Sequence, residues 1–389
     1  MNEILFLALF FLGTFLLGLL LERIRIPWIF AALLLGLGLA IHNPFPDLTS
    51  NPAIDLLSGL GMYFLLFIIG FELDVRKLLK SSAFIFRATS IIILFETLLG
   101  ALFIHFFLHV DFAISFLLAL SFATVGEAVL LPILEEFKIL KTKMGQTMLS
   151  IGVLDDIVEV AAVAIVVVFI GRQAGHSHFN IWVNMAVLLS LFLLAFAIVK
   201  LRKQLTSFKY KDVPAFFLFV MFFIFLFVGI GLYVESSALA ALLAGIALRN
   251  MIPKNILALI ESEIKVLAYG LFAPIYFMSV GLSVDIGYLV SNPFMILLLM
   301  IVITSAAILG ALVASKHELN IKQSVLLGLG ASVKLSTSIV IFKLLLDRGL
   351  LASGVYSVLI GTTILFLLAV PLGMSWLIPR WKRYISSHV

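Results

Sequence analysis

Residues 150–168 read SIGVLDDIVEVAAVAIVVV, an apolar run that carries three acids, Asp155, Asp156 and Glu159, near its middle. A helix that crosses a bilayer needs about 20 mostly apolar residues, because the hydrocarbon core is about 30 Å thick. The run has no period-two alternation, so it fits a helix and not a barrel strand. The whole chain shares its character: of 389 residues, 63% are hydrophobic and 12% charged, with a mean hydropathy of +1.23. A soluble domain carries about twice that share of charge, so the natural solvent of this chain is lipid. In lipid only helices and closed barrels satisfy their own backbone hydrogen bonds. The fold class that follows is an all-α polytopic membrane protein.

Breaks at charged, Pro, Gly or Asn clusters divide the chain into thirteen expected spans: 3–21, 26–42, 55–71, 83–108, 112–135, 145–170, 181–200, 213–233, 236–250, 263–283, 293–315, 321–346 and 352–379. Most Lys and Arg residues fall after odd-numbered spans or in the C-terminal tail. Among them are Arg23, Arg25, Arg76, Lys77, Lys80, Lys138, Lys141, Lys143, Lys200, Arg202, Lys203, Lys209 and Lys211. The opposite side holds Arg172 and Arg348, while Lys334 and Lys343 fall inside a span. The positive-inside rule then predicts an outside N-terminus and a cytoplasmic C-terminus, in the cell (inner) membrane. The formal charge of +5 reads as cytoplasmic loop charge, so no nucleic-acid partner is expected. The first apolar run lacks preceding basic residues and a small-residue cleavage site, and reads as a retained helix in contact with lipid. There is no cysteine, which removes disulfides and thiolate metal sites from consideration.

Two stretches echo each other. AALLLGLGL from Ala31 returns as AALLAGIAL from Ala240, an offset of 209; Gly70, Asp74 and Leu78 return as Gly281, Asp285 and Leu289, an offset of 211. Together they predict that spans 1–6 (about 3–170) repeat as spans 8–13 (about 213–379), with span 7 (about 181–200) as a linker inside a single transmembrane transporter domain, 1–389. A shift of seven spans inverts the second copy. Inverted repeats characterise secondary transporters, whose substrate site lies near the midplane where the copies meet.

Ionisable groups inside a membrane are costly and mark function. Adjacent helical residues lie about 100° apart, so Asp155 and Asp156 cover neighbouring faces, with Glu159 a turn further on. Oxygen ligands suit a hard monovalent cation, and desolvation raises a buried carboxylate's proton affinity. One carboxylate can therefore hold either a proton or a metal cation, and that competition is the minimal physics of an exchanger. The expected metal site is Asp156 and Asp155. In span 5, SFATVGEAVLLPILEEF places Thr124, Gly126, Glu127 and Pro132 where a continuous lipid-facing helix is poorly served. At the 211 offset, residues 123–128 correspond to KLSTSI at 334–339, with Lys334 and Ser336. Two discontinuous helices crossing there would aim half-helix ends at an ion. An ion pair between Glu127 and Lys334 is expected to offset their dipoles. Glu96 and His105 in span 4 are ambiguous, and His176 and His178 read as solvated loop residues. The in-span charges are mostly acidic, which favours a cation over an anion.

These residues resemble the monovalent cation:proton antiporter-2 family, which includes sodium/proton antiporters and Kef-type potassium efflux proteins. The likeness runs along nearly the whole chain. It rests on FLLFIIGFE ending at Glu72, TVGEAVLLPIL at 124–134, GVLDD at 152–156 and APIYFMSVGLSVD at 273–285. The resemblance implies a homodimeric elevator transporter that is not an enzyme and needs no cofactor. Spans 4–6 and 11–13 would form its moving core, and Asp156 would be the main ion and proton carrier, aided by Asp155 and Thr124. Kef-type proteins usually carry Gln-Asp at this pair, so Asp-Asp leans toward the sodium/proton branch.

The chain departs from that pattern twice. Ala311 stands where electrogenic relatives place a span 11 lysine, and VKLS at 333–336 replaces a Pro-Arg-Gly-Glu motif. Without the span 11 lysine, electroneutral exchange of one cation (Na+ or K+) for one proton is expected; alternatively Lys334 or Glu127 takes over the missing role. No Gly-rich dinucleotide motif follows the last span, so the nucleotide-gating domain of Kef-type proteins is not expected here. Two rivals remain. An intramembrane aspartyl protease would need two carboxylates facing each other from separate helices, whereas these are neighbours on one. A sodium-coupled symporter of an organic substrate would keep the same fold.

Overall fold

The structure is a computed structural model and describes residues 2–23, 26–72, 82–125, 130, 133–134, 137–140, 142–173, 190, 193, 213–233, 236–252, 254–316, 318–334 and 336–385. The longer helices are α1 (Glu3–Arg23), α2 (Phe30–Ile41), α3 (Pro52–Glu72), α4 (Ala83–Leu108), α5 (Phe112–Phe122), α6 (Lys143–Gln173), α7 (Val213–Leu232), α8 (Ser237–Met251) and α9 (Lys254–Leu267). They continue as α10 (Ala273–Leu282), α11 (Ile286–Ser291), α12 (Pro293–Ala314), α13 (Ile321–Ala331), α14 (Ser336–Asp347) and α15 (Ser353–Ile385). No strand occurs among the described residues. Six helices are long and apolar enough to cross a membrane among the described residues. Burial also runs opposite to that of a soluble protein. Phe15, Leu218, Phe222 and Leu372 are exposed, while Glu96, Ser121, Asp155, Ser332 and Lys334 are buried. A surface of large apolar side chains is stable only against acyl chains or another apolar surface.

Most expected spans lie within a few residues of a helix, span 4 coinciding with α4 and span 11 stopping one residue beyond α12. Span 10 differs. Its helix starts at Lys254, nine residues before the expected start at 263, and passes through a π-helical turn at Ala268–Phe272 into α10. The additional turns are amphipathic. Ile260 and Ile264 are buried, and Lys265 bonds Glu261 on its own helix at 2.8 Å and Glu72 at 2.7 Å. The charge density that marked 251–262 as a loop is thus one face of a helix. His176, His178, Glu127 and all of span 7 except Ser190 and Leu193 lie outside the described residues, as do the side chains of Asp156, Glu159 and Ser336.

The chain divides into two compact units, one of Met1–Phe11, Pro44–Leu73 and Val163–Ser279, the other of Leu12–Asn43, Asp74–Ala162 and Val280–Val389. In the first, α3 and α8 meet through glycines. A Cβ on Gly70 would collide with the Leu242 carbonyl, and one on Gly245 with the Phe67 carbonyl. In the second, a Cβ on Gly281 of α10 would collide with the Leu33 carbonyl and lie 2.8 Å from the Gly36 carbonyl carbon. Small residues let helix backbones approach this closely, which is how helices associate where lipid is as apolar as leucine.

Candidate functional site

The second unit contains two helix interruptions. The first follows α5, whose N-terminus is capped by Asp111 accepting from the Ala113 N–H at 2.9 Å. At its C-terminus the Ser121 hydroxyl donates to the Leu117 carbonyl at 2.7 Å, and the Thr124 hydroxyl to the Ser121 carbonyl at 3.0 Å. The Ala123 N–H closes onto the Ala119 and Leu120 carbonyls. The bonds to the Ala119, Leu120 and Ser121 carbonyls satisfy acceptors that a helix end leaves orphaned. The chain leaves the helix at Ala123–Val125.

The second interruption separates α13 from α14. Asn320 starts α13 with a capping box: its side chain accepts from the Gln323 N–H at 3.0 Å, and the Gln323 side chain accepts from the Asn320 N–H at 2.9 Å. At the far end, the Ser332 hydroxyl donates to the Gly328 carbonyl at 2.9 Å, and the Val333 N–H to the Gly330 carbonyl at 3.3 Å. The Lys334 ammonium donates to the Ala331 carbonyl at 2.9 Å. A cation at a helix C-terminus also meets the negative end of its dipole. Lys334 thus ends α13 in both hydrogen-bonding and charge.

Each interruption has an acid aimed at it. Asp155, near the middle of α6 and 1% exposed, accepts a hydrogen bond from the Val125 N–H. A carboxylate that takes a backbone donor at a broken helix occupies the position where an anion complements exposed amides. Glu96, near the middle of α4 and fully buried, accepts from the Lys334 ammonium through Oε1 at 2.8 Å. Its Oε2 has no hydrogen-bond partner among the described residues. Among the described residues the partner of Lys334 is therefore Glu96; the expected Glu127 lies outside them. Lys334 and Glu96 are 238 positions apart, and no local pattern links them. Lys343, unassigned from the sequence, pairs with Asp347 one turn along α14. The His105 ring bonds the Val110 carbonyl at 2.7 Å, closing the turn between α4 and α5.

Of the predicted site residues, Asp155 and Thr124 flank one interruption and Lys334 closes the other. Sequence reasoning missed the Val125 backbone, which no side-chain motif reveals, and left Glu96 undecided. No group of three or more His, Cys, Asp or Glu side chains suited to a metal ion occurs among the described residues.

A multi-pass helical membrane protein with a charged interior at two helix interruptions is the class that fold and site define. The model of the sodium/hydrogen exchanger transmembrane family matches residues 7–379, and the chain belongs to that family. It is 26% identical to the Na(+)/H(+) antiporter of Enterococcus hirae over 372 residues, covering 90% of this chain and 91% of that protein. It is also 26% identical to the probable Na(+)/H(+) antiporter 3 of Methanocaldococcus jannaschii, covering 74% of each. With the glutathione-regulated potassium-efflux protein KefC of an Enterobacter strain the identity is 28%, over 66% of this chain and 41% of that one. Among solved structures, the sodium proton antiporter MjNhaP1 of Methanocaldococcus jannaschii at pH 8 has the same fold, with a TM-score of 0.64, 19% identity and 99% coverage of both chains. These relatives are named as transporters, and they do not favour the organic-substrate symporter.

Proposed function

We propose that this protein is a secondary antiporter that exchanges a monovalent cation, Na+ or K+, for protons by competition at the Asp155–Asp156 pair. One observation carries the reading: Asp155 is a buried carboxylate on a membrane-length helix, bonded to the backbone of an interrupted helix. Burial disfavours the bare charge, so such a group binds either a proton or a cation. Asp156 is the main carrier in this reading, with Asp155, Thr124, Glu127, Glu159 and Ser336 completing the oxygen set. Lys334 supplies a fixed positive charge at the second interruption. Replacing one cation with one proton leaves the site's charge unchanged, and with Ala311 in place of a span 11 lysine the exchange is electroneutral.

Thirteen spans, inverted repeats and two crossed discontinuous helices complete the architecture. The two glycine contacts support the repeat: Gly70 against Leu242 becomes Gly281 against Leu33 when each residue is exchanged for its echo. An elevator cycle fits this architecture, with the protein as a homodimer in the inner membrane, its N-terminus outside and its C-terminus cytoplasmic.

The test is proton flux in proteoliposomes with a trapped pH dye, adding Na+, Li+ or K+ to wild type and to Asp156→Asn. The reading predicts that one of these cations collapses the pH gradient in wild type and not in the variant. Proton flux that ignores all three cations, or that survives the substitution, would overturn it.

A further inference from the structure

The last helix, α15, ends in a basic run, Arg380, Lys382 and Arg383, and no Asp or Glu follows Asp347 in the sequence. The helix is 33 residues long, about 50 Å at 1.5 Å per residue, whereas the hydrocarbon core of a bilayer is about 30 Å thick. About 20 residues counted from Ser353 fill that core, so Trp376 and the turns after it fall in the headgroup layer. One face of the helix is graded to match. Leu372, Trp376 and Arg380 recur at intervals of four residues, which places them on one stripe, and all three are exposed. The stripe passes from an aliphatic to an aromatic to a cationic side chain. A lipid presents its acyl chain, glycerol region and phosphate in that order, and indole rings settle at the middle level.

The cation is held in place without an acid. The Arg380 guanidinium carbon lies 3.8 Å from the centroid of the Trp376 ring, and Nη1 donates to the Trp376 carbonyl at 3.2 Å. Pro379 interrupts the same turn, since it brings no backbone N–H to the helix ladder. No carboxylate pairs with Arg380 among the described residues. A guanidinium stacked on an indole face is fixed in orientation and has further N–H donors at its edge, in a fork that matches two phosphate oxygens.

We propose that this face of α15 binds the headgroup of an anionic phospholipid, with Arg380 on the phosphate, Trp376 at the glycerol region and Leu372 against an acyl chain. Lys382 and Arg383 raise the positive charge of the same helix end and favour a lipid of net negative charge over a zwitterionic one that carries the same phosphate. Free phosphate would gain only the charge, whereas a lipid also covers the apolar surface of Leu372 and Trp376. The surface is separate from the two interruptions, and the proposal stands whatever ion the protein moves.

The full chain is purified in a neutral detergent, and its unfolding temperature is followed by fluorescence size exclusion against added dioleoylphosphatidylglycerol, dioleoylphosphatidylcholine or inorganic phosphate. Phosphatidylglycerol is expected to raise the unfolding temperature saturably, phosphatidylcholine to need at least about fivefold more, and phosphate to have no effect. Arg380→Gln should raise the half-saturating concentration of phosphatidylglycerol about fivefold, and Trp376→Leu about threefold. Both variants should unfold near the wild-type temperature without lipid, because both side chains are exposed. Arg348→Gln, beyond the other end of α15, should leave the half-saturating concentration unchanged. Charges that merely complemented the helix dipole would change the lipid-free unfolding temperature and leave the lipid preference intact. Equal effects of the two lipids, stabilisation by phosphate as strong as by lipid, or an unchanged half-saturating concentration in Arg380→Gln would each overturn the proposal. Should Arg380→Gln not fold, Trp376→Leu decides by the same criterion.

Discussion

Asp155 and Glu96 are both buried acids near the middle of long helices in the same unit, yet they are held by different kinds of donor. Asp155 accepts a neutral backbone N–H from Val125, whereas Glu96 accepts a full positive charge from Lys334. A backbone donor orients a carboxylate and leaves its negative charge for a proton or a cation to balance. A lysine ammonium balances that charge permanently. The contrast separates the acid that the proposed exchange would use from one held in a buried ion pair, although both sit near the middle of a long helix. Buried charge pairs are expensive to desolvate and are kept together by the greater cost of separating them.

The largest expected effect breaks the second arrangement. Lys334→Met leaves Glu96 buried beside an uncapped α13, and loss of one partner of a buried pair costs about 3–5 kcal/mol. Thermal unfolding followed by fluorescence size exclusion should show this as the steepest loss of stability, with Glu96→Leu/Lys334→Met recovering most of it. A single variant as stable as wild type would mean that the pair is solvated in the membrane. The comparison is sharpened by Asp155, where chemistry and stability should part. Asp155→Asn keeps an oxygen for the Val125 N–H and should unfold near the wild-type temperature, while exchange falls by at least about tenfold. Asp155→Ala should lose activity and, in addition, about 1–3 kcal/mol for the orphaned N–H. Equal unfolding temperatures for the two variants would show that this hydrogen bond contributes nothing.

Gly281→Ala tests a region without charge. Its new methyl would meet the Leu33 carbonyl, an overpacking expected to cost about 1–3 kcal/mol, visible as a lower unfolding temperature. The smallest effect is expected for Asn320→Ala, which removes the α13 capping box at about 1 kcal/mol. Its exchange rate should stay near wild type, since the cap lies at the end of α13 away from the interruption. A large loss of transport there would show that the position of α13 is far less tolerant than its other contacts suggest.

How much was legible in the sequence follows from the range of each interaction. Helices such as α4, α6 and α12 were readable because lipid imposes a length and polarity on every span, and both are local properties. The second interruption was readable for a related reason, since VKLSTS concentrates polar and hydroxyl residues where a membrane helix should be apolar. SFATV at 121–125 announced the first in the same way. The start of α9 was not readable, because a charged segment looks alike as a loop and as an amphipathic helix until Glu72 arrives to pair with Lys265.

The sequence by itself determined that the chain spans a membrane, that its acids outnumber its bases inside the spans, and that Asp155 and Thr124 belong to a polar interior. Hydropathy, spacing and the cost of buried charge are enough for that. Only the tertiary structure decided which charge answers which. Lys334 takes Glu96 across 238 residues, and Asp155 takes a backbone amide that no side chain advertises. Electrostatic pairing depends on distance in space, and distance in space is fixed by how helices pack, which glycines such as Gly70, Gly245 and Gly281 permit without revealing the partner.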